Sequence, residues 1–172
     1  NLAYIISNGS NMITVVDRNT LELVDRIDAG LNIPMYGAVL NGKAYVTNQA
    51  DFSTTADDFV AVIDLETNTV DNTLLLNGYG EKIVAYNNSL FVQKASYGAG
   101  NELSKINPTT LEIDEELTFN ASILDTDMDN QFLYVLTENE INQVSLNNFE
   151  ITSTWDLTEA HQGVSKISAE LN

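Results

Sequence analysis

Three aspartates at alternate positions in DTDMDN, Asp125, Asp127 and Asp129, have the spacing that opens a calcium-binding loop. The pattern then stops. Its sixth position is Asn130 instead of glycine, and its twelfth is Leu136 instead of glutamate. The stretch reads as an acidic turn, with Asp125, Asp127 and Asp129 kept only as a weak metal candidate. His161 is the single histidine, which excludes a histidine-rich metal site. A Ser-His-acid triad would have to use it, and no nucleophile elbow accompanies it. There is no cysteine, so neither a disulfide framework nor a thiolate metal site can form. These residues assemble no catalytic constellation, and they call for no cofactor.

The elements that would position such residues are β-strands. Short β-branched and aromatic runs recur between Asn, Asp and Gly turns, and helical periodicity is nearly absent. One unit repeats: ITVVDRNTLELVDRI (13–27), VAVIDLETNTVDNTL (60–74), LSKINPTTLEIDEEL (103–117) and INQVSLNNFEITSTW (141–155). Asp17, Asp64, Asn107 and Ser145 open its turns, 47, 43 and 38 residues apart. Each can accept a bond from its own downstream backbone and so start a tight turn. A further strand precedes each unit: LAYIIS, KAYVTN, SLFVQK and QFLYVLT. The weaker runs MYGAVLNG, EKIVAYNN and SILDTDMDN lie before the last three of these.

A period near 40–45 residues with four strands per unit is that of a propeller blade. With strands lettered A to D from the axis outward, the chain reads BCD, then ABCD three times, then a lone A. The expected fold class is therefore all-β, a β-propeller of four-stranded antiparallel blades. The blades fall at about 2–30, 35–76, 81–119 and 121–157, with the lone innermost strand at 164–171. The strands suit a closed four-blade ring, part of a larger ring, or two pieces making an eight-bladed ring.

Ala44-Tyr45-Val46-Thr47-Asn48, followed by Val60-Ala61-Val62-Ile63-Asp64-Leu65-Glu66-Thr67-Asn68-Thr69-Val70, resembles the YVTN-repeat β-propeller family. The other blades keep the pattern and lose the letters: AYIISN, LFVQKA and LYVLTE. The cadence is similar to YncE-like surface propellers of Bacteroidetes, exported lipoproteins that usually have more blades. The resemblance covers essentially the whole chain. It implies a part of a longer, typically seven-bladed protein, outside the cytoplasm, at the cell surface or in the periplasm. It implies no enzyme activity, because the motif is a strand and a turn.

In this strand order the B–C and D–A connections share one face, around the channel mouth. The expected B–C connections are 8–11, 49–58 and 95–101, with almost nothing after Thr137. Phe52, Tyr36, Tyr79 and Tyr97 would form an aromatic rim there beside Asn48, Asp51, Asp57 and Asp58, with His161 nearby. A propeller lactonase would need a Glu/Asn/Asp metal cluster in the channel, and only Glu81 is a well-placed acid. Quinone-dependent propellers carry Trp-rich docking repeats, which the single Trp155 does not supply.

Net charge of −18 repels phosphate backbones and anionic lipid. No apolar run reaches the roughly 20 residues of a spanning helix. Nucleic acid and direct membrane insertion are therefore poor partners. A small molecule or protein at the loop face suits better, with self-association through blade edges as a further expectation. The reading is a non-enzymatic, exported binding propeller, with an outer-membrane uptake role in view. The alternatives are a lactonase-type metal-dependent hydrolase and a structural or adhesive surface-layer module.

Overall fold

A computed structural model describes residues 1–50, 57–157 and 163–169. The first sheet holds β1 (Leu2–Ser7), β2 (Met12–Asp17) and β3 (Leu23–Ile27). The second holds β4 (Pro34–Leu40), β5 (Lys43–Asn48), β6 (Phe59–Asp64) and β7 (Thr69–Leu75). The third holds β8 (Ile83–Tyr86), β9 (Ser89–Ser96), β10 (Ala99–Asn107) and β11 (Glu112–Thr118). The fourth holds β12 (Ile123–Met128), β13 (Phe132–Thr137), β14 (Glu140–Ser145) and β15 (Ile151–Asp156). Within each sheet the strands pair antiparallel in chain order. The first strands of adjacent sheets lie together, β1 by β4 and β4 by β8, so the sheets radiate as propeller blades.

Period-2 alternation gives the middle strands between two blades two buried faces, while β2 and β14 bury one. In β5, Ala44 and Val46 pack against the first blade, and Tyr45 packs against the third. In β9, Leu90 and Val92 face the second blade, and Phe91 faces the fourth. Three buried clusters thus mortar the arc, one per adjacent pair of blades. Each fully buried Val, Leu, Ile or Phe contributes about 1.5–3 kcal/mol to that cohesion. Among the described residues no cluster joins the first blade to the fourth.

The C–D turns are built alike. Asp17 Oδ1 accepts from Asn19 N at 2.7 Å and Thr20 N at 3.0 Å. Asp64 Oδ1 accepts from Glu66 N at 2.8 Å and Thr67 N at 3.2 Å. Asn107 Oδ1 accepts from Thr109 N at 2.9 Å and Thr110 N at 3.2 Å. Ser145 Oγ accepts from Asn147 N at 3.3 Å. Four residues after each opener the backbone turns left-handed, at Leu21, Asn68, Leu111 and Phe149 (φ 51–58°).

Three expectations change on the structure. The B–C connection placed at 95–101 is a two-residue hairpin, Tyr97–Gly98, because β9 runs to Ser96 and β10 starts at Ala99. Both turn residues have positive φ, 53° and 77°, which matches the twist of the flanking strands. Asp125 and Asp127 lie within β12, and only Asp129 sits in the A–B turn. Across 164–169 no strand is formed; that segment runs beside β12, with Ile167 N donating to Asp125 Oδ2 (3.1 Å) and Ala169 N to Asp127 Oδ2 (2.9 Å).

Candidate functional site

The face formed by the B–C and D–A connections carries a cleft of about 210 Å³ between the third and fourth blades. Glu81, Gln93, Ser96, Tyr97, Ile123 and Leu124 line it. Each wall has a separate origin. Glu81 ends the connection from the second blade, Gln93 and Ser96 close β9, and Tyr97 is the hairpin tip. Ile123 and Leu124 begin β12.

Glu81 is held from two blades. Ser96 Oγ donates to its Oε2 at 2.6 Å, and Gln49 Nε2 donates to the same oxygen at 3.1 Å. Gln49 Nε2 also reaches Ser96 Oγ at 2.9 Å, closing a triangle. Thr47, fully buried at the end of β5, donates to the Glu81 carbonyl at 2.7 Å. The backbone of Glu81 is further fixed by its N–H on Gln93 O, 3.1 Å. Both side-chain donors fall on Oε2, so Oε1 remains an acceptor among the described residues. Burial pushes the Glu81 carboxyl above its ordinary range, outweighing the Ser96 and Gln49 bonds and the charges of Lys166 and Lys82.

A second polar group lies at the neighbouring blade. Lys82 Nζ donates to Asp125 Oδ1 at 2.7 Å and to Thr126 O at 2.6 Å. Lys166 Nζ stands 4.0 Å from the same carboxylate. Burial alone would raise the Asp125 carboxyl, but Lys82, the Ile167 N–H and Lys166 hold it below its ordinary value. Thr126 Oγ1 donates to Gln93 Oε1 at 3.0 Å, tying β12 to the cleft wall.

The residues expected at this face do not share one place. Tyr97 lies at the cleft, 76% exposed. Tyr36 is 40% exposed on β4, Tyr79 is half-buried next to Gly100, and neither lines this cleft. Asn48 and Asp58 are buried braces: Asn48 Oδ1 accepts from Asn32 N (2.9 Å), and Asp58 accepts from Ala50 N (3.2 Å) and Gly80 N (3.3 Å). Asp57 is exposed. Asp51, Phe52 and His161 lie outside the described residues.

The aspartate trio is not convergent. Asp125 faces Lys82 and Ile167. Asp127 accepts from Ala169 N and Met128 N. Asp129 accepts from Gln131 N, Phe132 N and the Tyr134 hydroxyl. Among the described residues no three His, Cys, Asp or Glu side chains group so as to hold a metal ion.

Gln49, Gln93 and Ser96 were not singled out by the sequence reading. For Gln93 the signal was a departure from the repeat. Where the second blade has Thr47-Asn48, the third has Gln93-Lys94, two larger polar residues in a strand end that the motif fills with small ones.

Comparison with known proteins bears on the scaffold. No family model matches the chain, and no curated protein matches it. Solved structures do. Hydrazine synthase of Kuenenia stuttgartiensis superposes with a TM-score of 0.76 at 14% identity, over 89% of this chain and 45% of that one. The WD40 domain of Neurospora crassa Pan2 gives 0.69 at 12%, over 86% and 47%. The dihydro-heme d1 dehydrogenase NirN, in complex with DHE, gives 0.67 at 13%, over 88% and 34%. The chain spans less than half the length of each. Its fold is that of β-propeller blades, a scaffold these neighbours use both for enzymes and for a WD40 domain.

Proposed function

We propose that this chain is a non-enzymatic binding module whose loop face captures a basic side chain of a partner protein at Glu81. The observation that carries the reading is the Glu81 carboxylate in its cleft, with both donors on Oε2 and Oε1 left as acceptor. A guanidinium or ammonium supplies the missing donor and offsets the burial that raises the carboxyl. Tyr97, mostly exposed at the rim, offers a ring face to the same cation. A net charge of −18 steers cationic partners toward the surface from a distance. WD40-like propeller neighbours fit protein–protein interaction in general. The surface or periplasmic setting and the export of the chain rest on the YVTN resemblance alone.

Calorimetry with the capped peptide Gly-Arg-Gly tests this, with Gly-Gln-Gly as control. Binding of the arginine peptide, weakened about tenfold by Glu81→Gln and also weakened by Tyr97→Ala, is expected. Equal heats from both peptides, or an arginine affinity indifferent to Glu81→Gln, would remove the assignment.

A further inference from the structure

Cations are scarce in this chain, seven against twenty-five acids, and three of the five lysines are engaged within one blade. Lys43 Nζ stands 2.7 Å from Asp71 and 3.6 Å from Asp64, both in the second blade. Lys94 pairs with Glu102 at 2.9 Å and Glu116 at 2.7 Å, and Lys105 with Glu115 at 2.6 Å, all in the third. Lys82 and Lys166 are arranged otherwise. Among the described residues they share one carboxylate, Asp125, at 2.7 Å and 4.0 Å. Two ammonium groups on one carboxylate stand out in a chain of net charge −18.

This group borders the Glu81 cleft. Lys82 follows Glu81 in the chain, and Asp125 follows Leu124 of the opposite wall. Lys82 Nζ also donates to Thr126 O at 2.6 Å, and Thr126 Oγ1 donates to Gln93 Oε1 at 3.0 Å, which ties the lysine to a further wall residue. Both ammonium charges act on the Glu81 carboxyl.

The two lysines differ in how firmly they are held. Lys82 has two close acceptors. The Lys166 side chain is 77% exposed, and its 4.0 Å approach to Asp125 is beyond hydrogen-bond reach. Asp125 is already engaged, Oδ1 by Lys82 and Oδ2 by Ile167 N at 3.1 Å. Asp127 accepts from Ala169 N at 2.9 Å and from Met128 N at 3.0 Å. These bonds fix the backbone beside Lys166, so the least engaged ammonium among the described residues is anchored near an acid-lined cleft.

We propose that the cleft reads a C-terminal arginine of a partner protein, with the guanidinium on Glu81 and the terminal carboxylate on Lys166. This depends on Glu81 acting as a cation acceptor, and it adds which arginine is taken. An arginine inside a chain presents a cation alone. At a C-terminus it presents a cation and an anion a side chain's length apart, complementary to an acid and an exposed ammonium at one site.

Calorimetry with acetyl-Gly-Gly-Arg, as the free acid and as the amide, tests this. The amide is the more positive peptide, so the overall negative field favours it, and a local cation is needed to reverse the order. The free acid is expected to bind about threefold more tightly, the size of an exposed ion pair. Lys166→Gln changes an exposed side chain and should erase that preference. Glu81→Gln should weaken both peptides about tenfold. If Glu81→Gln weakens both but the free acid binds no better than the amide, or its preference survives Lys166→Gln, the C-terminal assignment is overturned and the role of Glu81 stands. If neither peptide binds, or neither responds to Glu81→Gln, the role of Glu81 falls and this assignment with it.

Discussion

The two ends of the blades are built on opposite principles. At the C–D end, Asp17, Asp64, Asn107 and Ser145 open four versions of the same turn, each closing on a left-handed residue four places later. At the B–C end no two connections agree. The first is a short 3-10 turn, Asn8–Ser10, ending on Asn11 at φ 51°. The second spans 49–58 and is braced by Asn48 and Asp58. The third is the Tyr97–Gly98 hairpin, and the fourth closes with Thr137 Oγ1 accepting from Glu140 N at 3.2 Å. The repeated end needs only its own residues. At the varied end, Glu81, Gln49 and Ser96 from two blades must meet. The difference teaches that repetition specifies the scaffold, and departures from it mark the site.

The sharpest break in that contrast comes at Gly100, just behind the varied hairpin. Its φ is +85°, and an added Cβ would sit 2.4 Å from Lys94 O and 2.9 Å from Ala95 Cα, both backbone atoms. Gly100→Ala should cost roughly 3 kcal/mol, measured by urea unfolding, because strain and clash add. A smaller effect is expected at the repeated end. Asn107→Ala removes two turn bonds and should cost about 1 kcal/mol, with the fold and the cleft intact.

Smaller still, Glu81→Gln should change stability at neutral pH by less than about 1 kcal/mol, since the amide oxygen can accept both existing bonds. It should alter the pH profile more clearly. The folded carboxyl ionises above its ordinary value, so the fold binds that proton more tightly than the unfolded chain does. Stability gained as pH falls through the raised value, down to the ordinary glutamate range, should therefore vanish in the variant. Asp17 and Asp64 act with the opposite sign. Backbone bonds hold both below the ordinary range, so their contribution is present at neutral pH and lost as pH falls through the depressed values. The least disturbance is expected from Tyr97→Ala, within about 0.5 kcal/mol by thermal melting, because the ring is mostly exposed.

How much of this was legible follows from the same contrast. Alternation and the four turn-openers gave the strands, the turns and the blade order, because each signal is local. The KAYVTN strand could be placed by its β-branched and aromatic residues and its match to the repeat, although both of its faces are buried and burial alone imposes no apolar/polar alternation. Tyr97–Gly98 was not legible as a tight hairpin: a tyrosine at φ 53° carries no local signature, and the small residues around it resemble a loop. Nor was the role of Asp125. Its partners, Lys82 and Ile167, lie 43 and 42 residues away, and only the packing of the third blade and of the 163–169 segment against β12 brings them together. Glu81 stood out as an acid near the mouth, but its triangle with Gln49 and Ser96 spans two blades.

The central claim, a cation-binding cleft on the varied end, meets its most direct test in a two-dimensional amide NMR titration with the capped Gly-Arg-Gly peptide. Shifts concentrated at Glu81, Gln93 to Gly98 and Ile123 to Leu124 are predicted, and Glu81→Gln should move their midpoint to about tenfold higher peptide concentration. Shifts scattered over the acidic surface, or gathered at the C–D turns, would contradict it.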